Sequence, residues 1–135
     1  MAIVGLNFDK ISAIRKEGAK GKINISNNVT VKDVVESNLN LGSQSQEGLK
    51  FIFEYTSKYE PDFGDIILEG TLVFIEDPKR IKEIHAGWKK DKKLPNDVMR
   101  ETLNAVLNKY NVQALILSRE INLPPPIPMP KVNVK

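Results

Sequence analysis

The chain has 135 residues, 41% hydrophobic and 27% charged, the size and balance of one globular domain that buries a core without disulfides or metal. It contains no cysteine, which excludes disulfide scaffolds, thiolate metal sites, iron–sulfur clusters and cysteine nucleophiles. A formal charge of +3 biases it modestly towards acidic partners, and the absence of a leader-like Met1–Lys10 or of the ~18 apolar residues a membrane span needs reads as a cytoplasmic protein with no membrane partner.

Leu6 and Phe8 share one strand parity and Ile11 and Ala13 the other, so a first strand with a bulge near Asp9 or Lys10 keeps both pairs inward. Gly18–Gly21 reads as a turn. Ile23, Ile25, Val29 and Val31 then alternate with Lys22, Asn24, Ser26 and Lys32, a second strand with an interruption at Asn27–Asn28 left open. Ser37–Gly48, with Asn38, Asn40, Gly42, Ser43 and Ser45, reads as a long loop.

The third strand is the clearest: Leu49, Phe51, Phe53, Tyr55 and Tyr59 alternate with Lys50, Glu54, Thr56 and Lys58. Pro61-Asp62-Phe63-Gly64 is turn chemistry, and a fourth strand over Asp65–Glu76 completes a hairpin. That strand is apolar on both parities, through Ile66, Leu68, Leu72 and Phe74 and through Ile67, Val73 and Ile75, so it needs cover on both sides.

Asp77-Pro78 starts a short helix, with Asp77 as its side-chain cap, ending near Lys89 and carrying the stripe Ile81, Ile84, Trp88. Leu94-Pro95 opens a longer helix towards Arg119, with a break at Asn111–Val112 left open because asparagine is a poor helix former. The prolines of Ile121–Pro130 forbid helix and predict an extended tail laid across a surface. The expected fold is one α+β domain over residues 1–135: a four-stranded, mainly antiparallel sheet, a short and a long helix, and a proline-rich tail over 121–135.

This order of elements, and above all the helix from Leu94-Pro95 to Ser118-Arg119-Glu120 followed by Ile121-Asn122-Leu123-Pro124-Pro125-Pro126-Ile127, resembles the SecB family of protein-holding chaperones, whose long helix leads into a Leu-Asn-Leu-Pro-Pro tail. The resemblance implies a twisted sheet with helices on one face, dimers assembling into tetramers, and apolar grooves that hold unfolded chains. The classical member is strongly acidic towards an export ATPase. This chain is basic, so that partnership does not carry over, and no family residue with a defined chemical role transfers.

Chemistry is otherwise sparse. His85 is the only histidine and reads as structural. Glu54 and Glu69 can approach across the hairpin, but strand-face glutamates are usually solvated. Gly18-Ala19-Lys20-Gly21-Lys22 lacks the spacing of a phosphate loop. No catalytic residue, metal ligand or cofactor is expected.

Binding candidates remain. Phe51, Phe53 and Tyr55 are core first and a polypeptide-binding groove second. Lys89, Lys90, Lys92 and Lys93 form a basic cluster in which Trp88 could stack on a base. Ile121, Leu123, Ile127 and Met129 are the expected tail contacts. Two functions stay open: a non-enzymatic, homo-oligomeric chaperone for non-native or nascent polypeptides, and a ribosome- or rRNA-associated factor that bridges or blocks subunits through its basic loops.

Overall fold

Alternation at period two makes the third strand a two-faced element, and the fold is built around its apolar face. In the computed structural model, which describes residues 2–17, 21–41 and 44–128, four strands form one antiparallel sheet: β1 (Ala2–Arg15), β2 (Asn24–Leu41), β3 (Gln44–Glu60) and β4 (Gly64–Ile75). Their spatial order is β1-β4-β3-β2. Two helices follow, α1 (Pro78–Asp91) and α2 (Asn96–Glu120), with α1 over β2 and β3 and α2 mainly over β4 and β1.

Leu49, Phe51, Phe53, Tyr55 and Tyr59 of β3 and Ile66, Leu68, Leu72 and Phe74 of β4 are buried on the helix-covered face. Each such side chain contributes roughly 1.5–3 kcal/mol through the water it releases. Phe51 stacks on Phe74 with centroids 5.8 Å apart. On the opposite parity Ile67, Val73 and Ile75 are only half-covered; among the described residues that face of the sheet carries no helix.

The bulge expected in β1 is present, as a register shift between Phe8 and Lys10. It turns Leu6, Phe8 and Ala13 to the core, while Ile11 stays 47% exposed. In β2 no interruption occurs at Asn27–Asn28; the register shift lies between Val31 and Asp33, so that Val31 opposite Phe53 and Val34 opposite Phe51 face the same way. The turn expected at Gly18–Gly21 falls largely outside the described residues, and β1 and β2 occupy opposite edges of the sheet.

Ser37–Gly48 is not a long loop. β2 and β3 stay paired from Asn24 opposite Glu60 to Leu41 opposite Gln44. Polar side chains do not prevent this, because a hairpin ladder satisfies its backbone groups whether or not its side chains are buried.

Asp77 begins α1 without a side-chain cap bond; its carbonyl accepts from the Ile81 amide at 3.0 Å. Ile81, Ile84 and Trp88 are the buried stripe, and α1 ends on Lys92, left-handed at φ 58°, whose N–H donates to the Trp88 carbonyl. α2 is unbroken through Asn111 and buries Val98, Thr102, Val106, Tyr110, Ala114 and Ser118. Tyr110 fits because β4 carries Gly70 beneath it: a Cβ there would overlap the Tyr110 hydroxyl and the Asn7 carbonyl. Its ring lies 4.6 Å from Phe8 and 6.4 Å from Tyr55. Lys109 ties α2 to β1 by donating to the Leu6 carbonyl at 2.6 Å.

Beyond α2 the chain turns back over the sheet. Leu123 is 5% exposed and Pro126 is buried. The Tyr59 hydroxyl donates to the Pro124 carbonyl at 2.6 Å and the Asn27 side-chain amide to the Pro126 carbonyl at 2.7 Å.

Candidate functional site

The bulge at Lys32 shapes the edge of the sheet. It rotates Asp33 so that one carboxylate oxygen accepts from the Val34 amide at 2.9 Å and from the Trp88 indole N–H at 3.3 Å. Trp88, 6% exposed, is thereby fixed as a wall between β2 and the turn joining α1 to α2. Beside it Val29, Val31, Met99 and Leu103 are packed against the core but only half-covered. With Trp88, Lys32 and Lys92 they line an open, largely apolar groove of about 580 Å³. Lys92 places its ammonium 5.2 Å from the centre of the Trp88 ring system, a cation–π contact at the groove's end.

The expected site residues fall on either side of this groove. Phe51, Phe53 and Tyr55 lie wholly beneath the helices, 0–1% exposed, and present no surface in this conformation; their periodicity marked core. Trp88 does not stand among the lysines as a stacking platform, because its ring is buried and its N–H is committed to Asp33. Lys89, Lys90, Lys92 and Lys93 are all exposed around the end of α1. Ile121 and Ile127 are half-covered and Leu123 buried; Met129 lies outside the described residues.

The groove residues Val29, Val31, Met99 and Leu103 were not singled out from the sequence. One signal was present: Val31 and Val34 are apolar on opposite parities, the same mark that located the bulge in β1.

The titratable candidates are structural. His85 Nδ1 lies 2.9 Å from a Glu36 oxygen, joining α1 to β2. Glu54 and Glu69 are directly opposed on the helix-free face, and Lys32 donates to both, at 3.4 and 3.1 Å. These contacts raise the Lys32 pKa, the Glu69 bond most, and the hydrogen bond from Lys32 is the main cause that lowers Glu69. A general acid needs its carboxyl raised, the reverse of this. Among the described residues no group of three or more potential ligands could hold a metal, and no helix is long and apolar enough to cross a membrane.

The sequence matches no protein-family model and none of the curated proteins. Solved structures do match. The SecB-like chaperone of Mycobacterium tuberculosis, in complex with a ChAD peptide from the HigA1 antitoxin, superposes with a TM-score of 0.57 at 10% identity, over 98% of this chain and 89% of that one. A four-stranded β1-β4-β3-β2 sheet followed by two helices, matched over nearly the whole chain, makes this an α+β protein with the fold of a SecB-like chaperone.

Proposed function

We propose that this protein is a cytoplasmic holding chaperone that captures extended apolar segments of non-native polypeptides without chemistry. The observation that carries the reading is the open groove of Val29, Val31, Met99 and Leu103 against Trp88. Apolar side chains left half-covered beside an edge strand suit an extended chain, whose backbone can pair with β2 while alternate side chains enter the groove. The likeness to a chaperone solved with a bound peptide supports the same reading.

The test is suppression of aggregation of a chemically denatured client, without nucleotide. Suppression should persist in high salt, because apolar burial does not weaken there, and Met99→Glu should reduce it while the fold survives. A wild-type protein that leaves aggregation unslowed at equimolar ratio removes the reading.

Symmetric self-association belongs to the proposal. Val112 and Ile116 on the outer face of α2 and Val4, Ile11 and Ile14 on β1 are each about half exposed, surplus apolar area that a second copy would cover. Light scattering that finds only a 15.2 kDa species counts against it.

A ribosome- or rRNA-bound role is the second reading. It is supported by the exposure of Lys89, Lys90 and Lys93, none of which forms an ion pair among the described residues. Co-sedimentation with ribosomes that vanishes steeply with salt would favour it.

A further inference from the structure

The two ends of the groove differ in charge. At one end Lys32 turns its ammonium to Glu54 and Glu69 on the helix-free face, at 3.4 and 3.1 Å, and offers the groove no free cation. At the other end Lys92 faces Trp88 and forms no ion pair among the described residues, and Lys89 and Lys93 stand exposed beside it. Of the nearby acids Asp97 is paired with Arg80 through both oxygens at 3.0 Å, whereas Asp33 bonds only the neutral Trp88 indole and Val34 amide and keeps its charge. Asp33 and, next to Lys90 and Lys92 in the chain, Asp91 offset part of a cluster that counts four lysines, Lys89, Lys90, Lys92 and Lys93.

We infer that the groove selects apolar segments flanked on one side by acidic residues, the acidic flank lying over Lys89, Lys92 and Lys93. The inference rests on the holding reading and names the client chemistry. An apolar stretch occupies the groove beside Trp88, and the chain then leaves past the α1–α2 turn. There a carboxylate gains from the lysines, whereas a lysine in the client meets like charge that the neighbouring acids offset only in part. Lys32, held by two carboxylates, adds no free cation at its end.

Trp88 is the chain's single tryptophan and forms the groove wall, so its fluorescence reports occupancy. Titration with peptides sharing one apolar core, flanked by aspartate, serine or lysine, should order the affinities Asp over Ser over Lys. A span of about tenfold between the extremes at low salt is expected, collapsing at high salt. A Lys89→Glu/Lys93→Glu variant, at two exposed lysines that do not line the groove, should invert the order and leave the serine-flanked peptide unchanged. Lys89→Gln/Lys93→Gln should flatten it, with thermal melts confirming that both variants fold.

Equal affinity for the aspartate- and lysine-flanked peptides, or a variant that weakens all three alike, overturns the inference while serine-flanked binding still upholds the holding reading. An acidic peptide without the apolar core that binds as tightly also overturns it, in favour of a plain polyanion site. Failure of every peptide to bind removes the holding reading and this inference with it.

Discussion

The two ends of the helix layer treat apolar sheet surface in opposite ways. At the α2 end the proline tail closes over it, with Leu123 and Pro126 buried against the sheet. At the α1–α2 turn nothing closes, and Val29, Val31, Met99 and Leu103 keep an open groove. The difference lies in the covering segment. Pro124, Pro125 and Pro126 bring no backbone N–H, so only their carbonyls require partners on burial. The Tyr59 hydroxyl and the Asn27 amide supply two of them. The turn 92–95 instead buries Leu94 alone, while Lys92 and Lys93, whose charges keep to water, stay exposed and cannot close over the groove.

The tail end should fail hardest when broken. Removing residues 121–135 deletes the buried Leu123 and both carbonyl bonds, for an expected loss of about 3–5 kcal/mol; an unchanged urea midpoint would show that the tail merely lies on the sheet. Alkaline titration sharpens the contrast next. Burial, with the Tyr55 charge second for Tyr59 and the Asp9 charge second for Tyr110, pushes both pKa values up to about 12. The unfolded tyrosines ionise near ~10, so above that the unfolded state binds fewer protons. Stability is complete below about pH 10 and should fall by on the order of 2 kcal/mol for each of the two tyrosines towards pH 12, a decline that Tyr110→Phe should roughly halve in urea melts.

Smaller effects separate the ends more finely. Tyr59→Phe orphans the Pro124 carbonyl and should cost about 1 kcal/mol, with faster proteolysis after Glu120 as the readout. Met99→Ala, at the open end, should cost less than ~1 kcal/mol of stability, because its side chain is already half in water, yet weaken peptide binding severalfold. A Met99 variant as unstable as the tail truncation would mean that the groove is closed in solution.

Where side-chain periodicity reports burial, the sequence was readable. β3, β4, both helical stripes and the bulge at Asp9 follow from which positions are apolar. The extension of the hairpin through Ser37–Leu41 and Gln44–Gly48 was not readable, because Asn38, Ser45 and Gln46 bear little of the β-propensity that marks a strand; their pairing is a continuation of the ladder. The groove was hidden for the opposite reason. Val29, Val31, Met99 and Leu103 carry the same pattern as the core, and only the width of the sheet relative to its two helices decides which apolar side chains go uncovered. Chain adjacency puts Trp88 beside Lys89 and Lys90, but the helix turns its ring into the core and brings only Lys92, one turn on, over its face.

Gly70 and Tyr110 meet so closely that neither can be chosen independently of the other. The hydroxyl of Tyr110 has no hydrogen-bond partner among the described residues and sits where a Cβ of residue 70 would be, so the contact is one of volume rather than bonding. The two positions therefore form a lock-step pair in sequence space. Relatives that keep a large ring on the helix must keep glycine on the strand, and a lineage that gains a side chain at 70 must both shorten 110 and shift the β1 backbone at the Asn7 carbonyl. Co-variation of these two sites, 40 residues apart in the numbering, would trace descent of this packing even where the rest of the sequence has drifted beyond recognition.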